Sequence, residues 1–309
     1  MRVIQTIETA SGLVLQESER PVPTPGPGEL LLRVNSAGVI TTELDWSPTT
    51  HYPDGSARKH AIPVHEFSGE VIAYGEGVTS FIVGQSIYGM NDWYQEGALA
   101  EFCVAPASSV AAKPKSLSFE QSAAVPISAL TAWQGLTTHG HLQAGERVLV
   151  HGGAGSVGLF AVQFAKSLGA RVITTTSVAT IPLVEELGAD QVFDYRSSRF
   201  DQQLHDIDLV LDTVGGDTLE RSWNVLGPGG RLVTVASNIE PNAPQRTQDA
   251  FFIVQPDGQR LAEIAALFDL GKLRTFIKAV APLKDANRAY THSLPDSLGY
   301  GKIVISVAT

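Results

Sequence analysis

Cysteine is almost absent from the sequence: Cys103 is the single thiol among 309 residues. One thiol cannot close an intrachain disulfide, and it cannot build a zinc cluster of several thiolates. Basic side chains are also scarce, since 22 Lys and Arg against 32 Asp and Glu give a net charge of −10. Nucleic acids and anionic membranes are bound by clustered cations, so neither is expected as a partner.

The first residues lack targeting signals, because they show neither the apolar core of a signal peptide nor an Arg-rich leader. This predicts a cytoplasmic protein. Residues 148–165 carry no Asp, Glu, Lys or Arg, which raises the question of a membrane span. Glycines at positions 152, 153, 155 and 158 interrupt this segment, and lipid offers no partners to the backbone of such a break. We therefore expect a buried strand, a turn and a helix there, and no membrane partner.

The secondary-structure patterns change along the chain. The first part consists of short apolar runs, such as Leu30–Val34 and Glu70–Tyr74, separated by Pro and Gly, which is typical of β-structure. The middle part alternates strand and helix patterns, which is typical of parallel βαβ units. Its expected strands are Arg147–His151, Arg171–Thr176, Gln191–Asp194, Asp208–Asp212 and Gly230–Ala236, and its expected helices are Leu159–Lys166, Ile181–Leu187 and Thr218–Leu226.

The last part of the chain predicts a strand at Phe251–Val254, an amphipathic helix at Gln259–Leu270 and a strand at Gly301–Val307. The final strand has no βα partner, so we expect it to return to the first, β-rich domain. The fold class is therefore α/β, with a Rossmann-type doubly wound parallel sheet and a second domain of β-structure. The expected bounds are 1–125 with 278–309 for the β-rich domain, and 126–277 for the nucleotide-binding domain.

A glycine-rich turn follows the first strand of the middle part and opens its first helix: Gly153-Ala154-Gly155-Ser156-Val157-Gly158. In this context the spacing is typical of dinucleotide binding. The first glycine permits the tight turn, the second lets pyrophosphate approach the backbone, and the third lets helix pack against strand. Amides at the helix N-terminus then stabilise the phosphate charge. A structural glycine turn without a ligand is the alternative.

The second strand of the middle part bears on which nicotinamide cofactor is bound. NAD sites place a carboxylate about 20 residues beyond the turn, where it binds the ribose 2′-hydroxyl. Here Thr174–Ser177 carry hydroxyls, which can donate to a 2′-phosphate. The pattern favours NADPH, while an ordinary β-branched strand is the alternative. The expected contacts, with a cation after the third strand, are Thr175, Thr176, Ser177, Tyr195 and Arg196.

A series of short motifs runs along almost the whole chain. They are Ser36-Ala37-Gly38-Val39, the segment Pro63–Val71, Ala129–Trp133, the glycine turn, Asp212–Gly216, Gly227–Gly230 and Gly301–Val304. In this order and spacing they resemble the medium-chain dehydrogenase/reductase superfamily, specifically its zinc-independent, quinone-oxidoreductase-like branch. The resemblance implies a GroES-like β-barrel catalytic domain, completed by the C-terminal tail, and an inserted NADP-binding Rossmann domain.

The resemblance also implies further contacts and a partner. The cofactor contacts implied by position are Thr131, Val214, Ser237, Phe252 and Val254. Relatives of this type pair through the sixth strand of the nucleotide domain, so the chain is expected to form a homodimer through Phe251–Val254.

The zinc ligands of related dehydrogenases are not matched. Ile40 stands where zinc-dependent relatives carry a cysteine, and His65 with Glu66 cannot alone complete a tetrahedral site. We therefore expect no metal, with Glu66 as a structural carboxylate. The segment after Ile40 departs from quinone-reductase relatives as well. The candidate catalytic hydrogen-bond donors are Thr41, Thr42 and Tyr52, with Tyr88 and Tyr94 as further options, and the candidate pocket walls are Ile40, Trp46, Trp93 and Tyr94.

These expectations predict an oxidoreductase that transfers a hydride from NADPH to an activated small-molecule acceptor without zinc. The acceptor is a quinone or the C=C bond of an α,β-unsaturated carbonyl, because no metal polarises a simple carbonyl. Two alternatives stay open. One is a non-catalytic NADPH-binding sensor or structural protein of the same fold, and the other is an alcohol dehydrogenase.

Overall fold

A computed structural model describes residues 1–9, 12–236, 243–291, 293–295 and 298–308. The chain divides into two compact units, one formed by Met1–Ile127 with Gln255–Thr309, and the other by Ser128–Val254. The first unit is discontinuous in sequence. Residues 255–277, which the sequence analysis assigns to the nucleotide-binding domain, belong to the first unit.

The strands of the described residues follow the expected pattern of short runs in the first part and spaced runs in the middle. In chain order they are β1 (Arg2–Thr9), β2 (Gly12–Glu19), β3 (Glu29–Val39), β4 (Glu66–Tyr74), β5 (Ser86–Met90), β6 (Phe102–Pro106), β7 (Val110–Ala112), β8 (Arg147–His151), β9 (Arg171–Thr176), β10 (Gln191–Asp194), β11 (Ile207–Asp212), β12 (Leu226–Thr234), β13 (Ile277–Pro282) and β14 (Lys302–Ser306).

The helices are mostly short. In chain order they are α1 (Ser47–Thr50), α2 (Phe119–Ala123), α3 (Pro126–Gln134), α4 (Ser156–Ser167), α5 (Ile181–Glu186), α6 (Phe200–Gln203), α7 (Gly216–Ser222), α8 (Gln245–Ala250), α9 (Gly258–Asp269) and α10 (Ala286–Tyr290). A π-helical turn, Gly135–His139, continues α3, and 3-10 turns cover Glu43–Asp45, Ala107–Ser109, Val178–Thr180, Trp223–Val225 and Leu283–Asp285. Within the described ranges no helix is both long and apolar enough to span a membrane.

The second unit is built on a five-stranded parallel sheet in the order β10-β9-β8-β11-β12. The central strands β8 and β11 are buried along nearly their whole length, as expected for a parallel sheet covered by helices. The strand order changes direction between β8 and β11, which is where open parallel sheets bind ligands, at the carboxyl ends of the strands. The predicted doubly wound sheet is confirmed.

The predicted strand at Phe251–Val254 is wrong. Only Phe251 forms a bridge, to Thr234, and residues 252–254 are not in a strand. The reason is the length of the neighbouring strand β12. It ends at Thr234, the residue that pairs with Phe251, so residues 252–254 have no strand residues to pair with. Pro256 then removes a backbone donor soon after the segment.

The first unit is built on a seven-stranded sheet with β13-β14-β3-β4-β5-β7 in order and β6 also on β3. The tail strand β14 is parallel to β13 and antiparallel to β3, which confirms that the tail returns to the β-rich part. Strands β1 and β2 form a separate antiparallel hairpin. Apolar side chains from these strands, including Leu32, Phe67 and Ile305, form the core.

Helix α9 explains why residues 255–277 join the first unit. The helix has the predicted amphipathic character, and its buried face includes Leu261 and Ile264. Tyr88 Oη, on β5, donates to the Leu261 carbonyl at 2.6 Å, and Asp269 Oδ1 accepts from the Ser116 nitrogen at 2.9 Å. These contacts attach both ends of α9 to the β-rich unit, and composition alone did not reveal them.

Candidate functional site

The glycine-rich turn joins the end of β8 to the start of α4. Gly152 has a φ of +73°, a left-handed conformation that favours glycine. A Cβ on Gly153 would collide with the Thr174 hydroxyl, and one on Gly158 would collide with the Gly152 carbonyl. The first and third glycines of the motif are therefore required by packing, while the left-handed position of the turn, expected at Gly153, lies at Gly152.

Gly155 differs from its neighbours, because it is exposed and forms the N-cap of α4 without a side-chain cap. A Cβ there would approach only the Gly152 carbonyl, at 3.1 Å, and the φ of −72° suits any residue. The fold constrains this position less than Gly153 or Gly158, whereas close approach of a phosphate requires glycine here. The first N–H groups of α4 have no intrahelical partner and stabilise an anion. The turn therefore fits a dinucleotide pyrophosphate.

The first two hydroxyls of the β9 run are used inside the protein. Thr174 Oγ1 donates to the Val150 carbonyl at 2.7 Å. Thr175 Oγ1 lies 3.0 Å from His151 Nδ1 and accepts from the Gly152 nitrogen at 3.2 Å. Both threonines are buried. The structure thus gives the Thr175 hydroxyl a different use from the expected cofactor contact, because its bonds already lie beneath the glycine turn.

The other residues expected at the 2′-phosphate meet at the carboxyl edge of β9 and β10. The Tyr195 nitrogen donates to the Thr176 carbonyl at 3.1 Å, which places the two strand ends side by side. Thr180 Oγ1 lies 2.6 Å from Thr176 Oγ1 and 3.1 Å from Ser177 Oγ, so these hydroxyls form one cluster. Arg196 is exposed and stacks on the Tyr195 ring, 5.3 Å from its centroid. The structure brings Thr176, Ser177, Tyr195 and Arg196 together.

A carboxylate also ends β10, at Asp194. It accepts from the Ser197 hydroxyl at 2.5 Å and from the Arg196 nitrogen at 3.2 Å. These hydrogen bonds, with Ser197 first, hold the pKa of Asp194 below its usual value. The Asp194 carboxylate is therefore hydrogen-bonded to the loop after β10, and the Arg196 guanidinium lies over the Tyr195 ring.

The loop after β11 is fixed by a buried carboxylate, Asp212. It accepts from the Val214 and Gly215 nitrogens at 3.1 Å and from the Thr234 hydroxyl at 2.8 Å. Burial raises the pKa of Asp212. The Val214 side chain is 52% exposed. Since β8 and β11 are parallel neighbours, Val214 follows the same edge of the sheet as the glycine turn, where the ribose contact is expected.

The candidate acceptor residues lie in the first unit, after β3 and after β5. Thr42 is the N-cap of a 3-10 turn, and its hydroxyl makes no capping hydrogen bond. Trp46 and Trp93 pack edge to face with ring centroids 4.9 Å apart. Tyr52 and Tyr94 are exposed. The structure therefore joins the two expected tryptophan walls.

The other expected acceptor residues have mixed positions. Ile40 and Thr41 are half-buried at the end of β3. Tyr88 is fully buried, and its hydroxyl is bonded to the Leu261 carbonyl. The option of Tyr88 as a donor to substrate is therefore wrong, because its hydroxyl proton is donated to the Leu261 carbonyl of α9.

Glu43 was missed by the sequence analysis. Its Oε1 lies 2.6 Å from His65 Nδ1 and accepts from the Val64 nitrogen at 2.8 Å, and both side chains are only 1% exposed. His65 Nε2 lies 3.2 Å from the Gln95 carbonyl, and its ring lies 5.2 Å from that of Trp93. The pair therefore fixes the segment that carries Trp93. Glu43 lies in a segment of both polar and apolar residues, and nothing in that local sequence indicates that its carboxylate is buried.

Arg58 also binds the segment that carries Trp93. It is buried, and its guanidinium donates to the Trp93 carbonyl at 3.1 Å and to the Gln95 carbonyl at 2.9 Å. The guanidinium also lies over the Tyr52 ring, 5.5 Å from the centroid. Tyr52, Trp46 and Trp93 are thereby connected through the buried Arg58.

Comparison with known proteins identifies the chain. Family models match it as an alcohol dehydrogenase GroES-like domain over residues 26–115 and as a zinc-binding dehydrogenase over residues 187–305. It is 29% identical to a probable zinc-binding oxidoreductase, mitochondrial, of Arthroderma benhamiae, over 96% of this chain and 94% of that protein. The quinone oxidoreductase from Coxiella burnetii superposes with a TM-score of 0.85 at 28% identity, covering 100% of this chain and 99% of the other. The mycobacterial Rv1454c, complexed with NADPH, gives 0.81 at 30% identity, covering 99% and 100%.

The chain belongs to the medium-chain dehydrogenase/reductase superfamily. The expected resemblance, and the α/β fold with a GroES-like domain and a parallel Rossmann sheet, are confirmed. The chain is therefore an oxidoreductase of this superfamily, and the glycine turn together with the relative complexed with NADPH supports a nicotinamide cofactor.

Members of this superfamily differ in metal content, so the possible ligands matter. Among the residues that the structure describes, no three His, Cys, Asp or Glu side chains are placed to hold a metal ion. His65 has both ring nitrogens bonded within the protein. Glu66 is completely buried, pairs with Lys302 and accepts from the Ile127 nitrogen at 2.8 Å, as a structural carboxylate should. Burial raises the pKa of the Cys103 thiol to about 12.

The remaining expected cofactor contacts lie in the second unit. Thr131 is buried on α3. Phe252 and Val254 are buried as well, and the Phe252 ring stacks on His139 with centroids 4.2 Å apart. Both side chains are therefore shielded from solvent. Ser237 lies outside the described residues.

Proposed function

We propose that this chain is an NADPH-dependent, zinc-independent reductase that transfers a hydride to a quinone or to the C=C bond of an α,β-unsaturated carbonyl. The observation that carries the proposal is the edge of β9 and β10, where Ser177 and Arg196, next to the buried Thr176, stand in place of the carboxylate typical of an NAD site. Hydroxyl donors and a guanidinium stabilise a 2′-phosphate. The quinone oxidoreductase and the NADPH complex among the structural neighbours support the same assignment.

The second unit would hold NADPH, which supplies the hydride when bound. Gly153–Gly158 would bind the pyrophosphate through backbone N–H groups at the start of α4. Val214 would lie beside the ribose, and the family resemblance places Thr131 near the nicotinamide. By fixing the cofactor along this edge, these residues contribute to rate through orientation rather than through chemistry of their own.

The first unit would hold the acceptor. Negative charge develops on the acceptor oxygen during reduction, and a positioned donor stabilises it. We assign this role to the Thr41 and Thr42 hydroxyls, with Tyr52 as the alternative. In other enzymes the loss of one such donor costs about 10²–10³ in rate. The Trp46–Trp93 pair would form the apolar wall against which a flat acceptor packs.

The cofactor assignment is tested by measuring oxidation of NADPH and of NADH with a panel of quinones and enones. We expect a much higher kcat/KM with NADPH. Arg196→Leu should weaken NADPH binding by roughly tenfold or more, because a charge-assisted contact to phosphate is lost, and should leave NADH binding unchanged. Arg199→Leu is the matched control, since Arg199 is paired with Asp201. Equal use of NADH would contradict the assignment.

The alternatives give different results in the same assay. Tight NADPH binding without turnover of any acceptor would support a sensor or structural protein. One tightly bound zinc per chain, with loss of activity when it is removed, would support an alcohol dehydrogenase. Deuterium delivered from labelled NADPH to the β-carbon of an enone would show C=C reduction, whereas formation of a hydroquinone would show hydride transfer to a quinone.

We also propose a homodimer and a cytoplasmic location. The segment Phe251–Val254 is apolar and uncharged, and the Ile253 side chain is 43% exposed, which makes the segment suited to a partner chain. A single buried thiol suits a reducing compartment. Cell fractionation with an antibody to the chain tests the location, and recovery in an organelle fraction would contradict it.

A further inference from the structure

A buried hydrogen-bonded chain lies beneath the glycine turn. His151, the last residue of β8, is fully buried. Its Nδ1 lies 3.0 Å from Thr175 Oγ1, and its Nε2 lies 2.9 Å from Ser222 Oγ at the end of α7. Thr175 Oγ1 in turn accepts from the Gly152 nitrogen at 3.2 Å. The imidazole thus connects the glycine turn to α7 through groups that the proposed reaction does not use.

The direction of every bond in this chain is fixed. Ser222 Oγ donates its one proton to the Thr218 carbonyl at 2.6 Å, so it can only accept from His151 Nε2–H. A neutral imidazole with its proton on Nε2 has no proton on Nδ1, so Thr175 Oγ1, which accepts from the Gly152 nitrogen, donates its own proton to His151 Nδ1. The bonds run from Gly152 through Thr175, His151 and Ser222 to Thr218. This order requires a neutral imidazole with its proton on Nε2.

The surroundings of His151 agree with the neutral form. The Phe200 ring packs edge to face against the imidazole with centroids 4.6 Å apart, and the Arg221 guanidinium lies over the same phenyl ring. Burial, and secondarily the charge of Arg221, lower the pKa of His151 to about 3. The backbone of His151 is fixed as well, because its carbonyl accepts from the Thr213 hydroxyl at 2.8 Å.

We propose that His151 is a positioning residue for the cofactor: its neutral imidazole, anchored on Ser222, orients the Thr175 hydroxyl that holds the Gly152 nitrogen at the entrance of the glycine turn. This rests on the proposed binding of NADPH at the turn. Gly152 has a left-handed φ, and the turn continues directly into the N-cap Gly155 of α4. The Thr213 bond extends the same support to the loop that carries Val214. His151 thus orders both segments to which the cofactor is assigned, without touching the cofactor.

The decisive variant is Ser222→Ala, because Ser222 lies on the side of the imidazole away from the glycine turn in the hydrogen-bonded series. Loss of the anchor leaves His151 Nε2–H without an acceptor, and we expect NADPH to bind roughly tenfold more weakly in a fluorescence titration. Thr175→Val removes the middle link and should weaken binding to a similar extent, while Thr175→Ser should restore it. The double variant Ser222→Ala/Thr175→Val should be no worse than the weaker-binding single variant, because one connection is already broken.

Val210→Ala is the control for loss of stability alone. Val210 is a fully buried core residue of the neighbouring strand β11, outside the hydrogen-bonded chain. It should lower the urea midpoint and leave NADPH affinity unchanged. Equal weakening by Val210→Ala, or strictly additive effects of the two chain variants, would overturn the positioning role.

The protonation of His151 gives a second readout that does not depend on turnover or cofactor. In ¹⁵N-histidine spectra, with the signal assigned by its loss in His151→Phe, we expect the neutral Nε2–H tautomer at pH 5 as well as at pH 7. An imidazolium at pH 5, or the Nδ1–H tautomer, would overturn the proposal. If the protein binds NADPH but reduces no acceptor, the proposed reductase activity is disproved, while the positioning role of His151 in NADPH binding still stands.

Discussion

At the scale of single residues, Gly155 and Gly158 are close in sequence and differ in what a side chain would do. A Cβ at Gly158 would overlap the Gly152 carbonyl oxygen, whereas a Cβ at Gly155 would lie 3.1 Å from the same oxygen. We predict that Gly155→Val folds with a smaller loss of stability than Gly158→Ala and no longer binds NADPH, because the side chain blocks the phosphate. Gly158→Ala should instead lower the free energy of unfolding by several kcal/mol, since backbone must move. Urea unfolding and fluorescence titration of both variants check this. Unchanged NADPH affinity in Gly155→Val would contradict the site assignment.

Residues also show where sequence reasoning reaches its limit. The glycines could be assigned from spacing, because each has a steric reason that any such turn shares. Thr175 was assigned to the cofactor from its place in a hydroxyl run, yet its hydroxyl faces His151 and the Gly152 nitrogen. Glu43 gave no signal at all, although it is buried against His65. Which polar group is buried depends on packing between distant segments, and the local pattern does not carry that information.

At the scale of elements, the segment Phe251–Val254 decides the proposed dimer. Within one chain it forms a single bridge, and the Ile253 side chain is exposed. We predict that Ile253→Asp dissociates the dimer by placing charge in an apolar interface. Analytical ultracentrifugation at micromolar protein should then show a monomer where the parent chain is a dimer. Val280→Asp, at an exposed position of the edge strand β13, is the control and should leave the dimer intact.

Elements of the second unit were predicted well because their signals are local. Strands β8, β9 and β10 have the predicted bounds, since each is a short apolar or β-branched run between turns. The prediction of a strand at Phe251–Val254 was wrong because formation of that strand depends on the length of β12. The domain assignment of α9 failed for a related reason: its amphipathic face matches several surfaces, and the hydrogen bond from Tyr88 to Leu261 is not visible in either segment.

At the scale of the whole molecule, the buried His151 links stability to pH. Burial lowers its pKa from 6.5 to about 3 in the folded chain, so between these pH values the unfolded chain binds one more proton. The stability from this group is complete above about pH 6.5 and is lost as pH falls towards 3, by at most about 1.4 kcal/mol per unit. We predict that the stability difference between the parent chain and His151→Phe shrinks from pH 7 to pH 5 in urea unfolding. A difference independent of pH would contradict this.

The place of β14 in the sheet has a consequence for how the protein is made. The second unit is continuous in sequence, so a ribosome can release all of its strands before the first unit is complete. The first unit must wait, because β14 lies between β13 and β3 in the sheet and follows every other described strand of that unit in sequence. Until then β3 presents an open edge, which is a surface prone to aggregation. Nascent chains stalled before Lys302 should therefore carry a protease-resistant nucleotide unit and require chaperones for the rest.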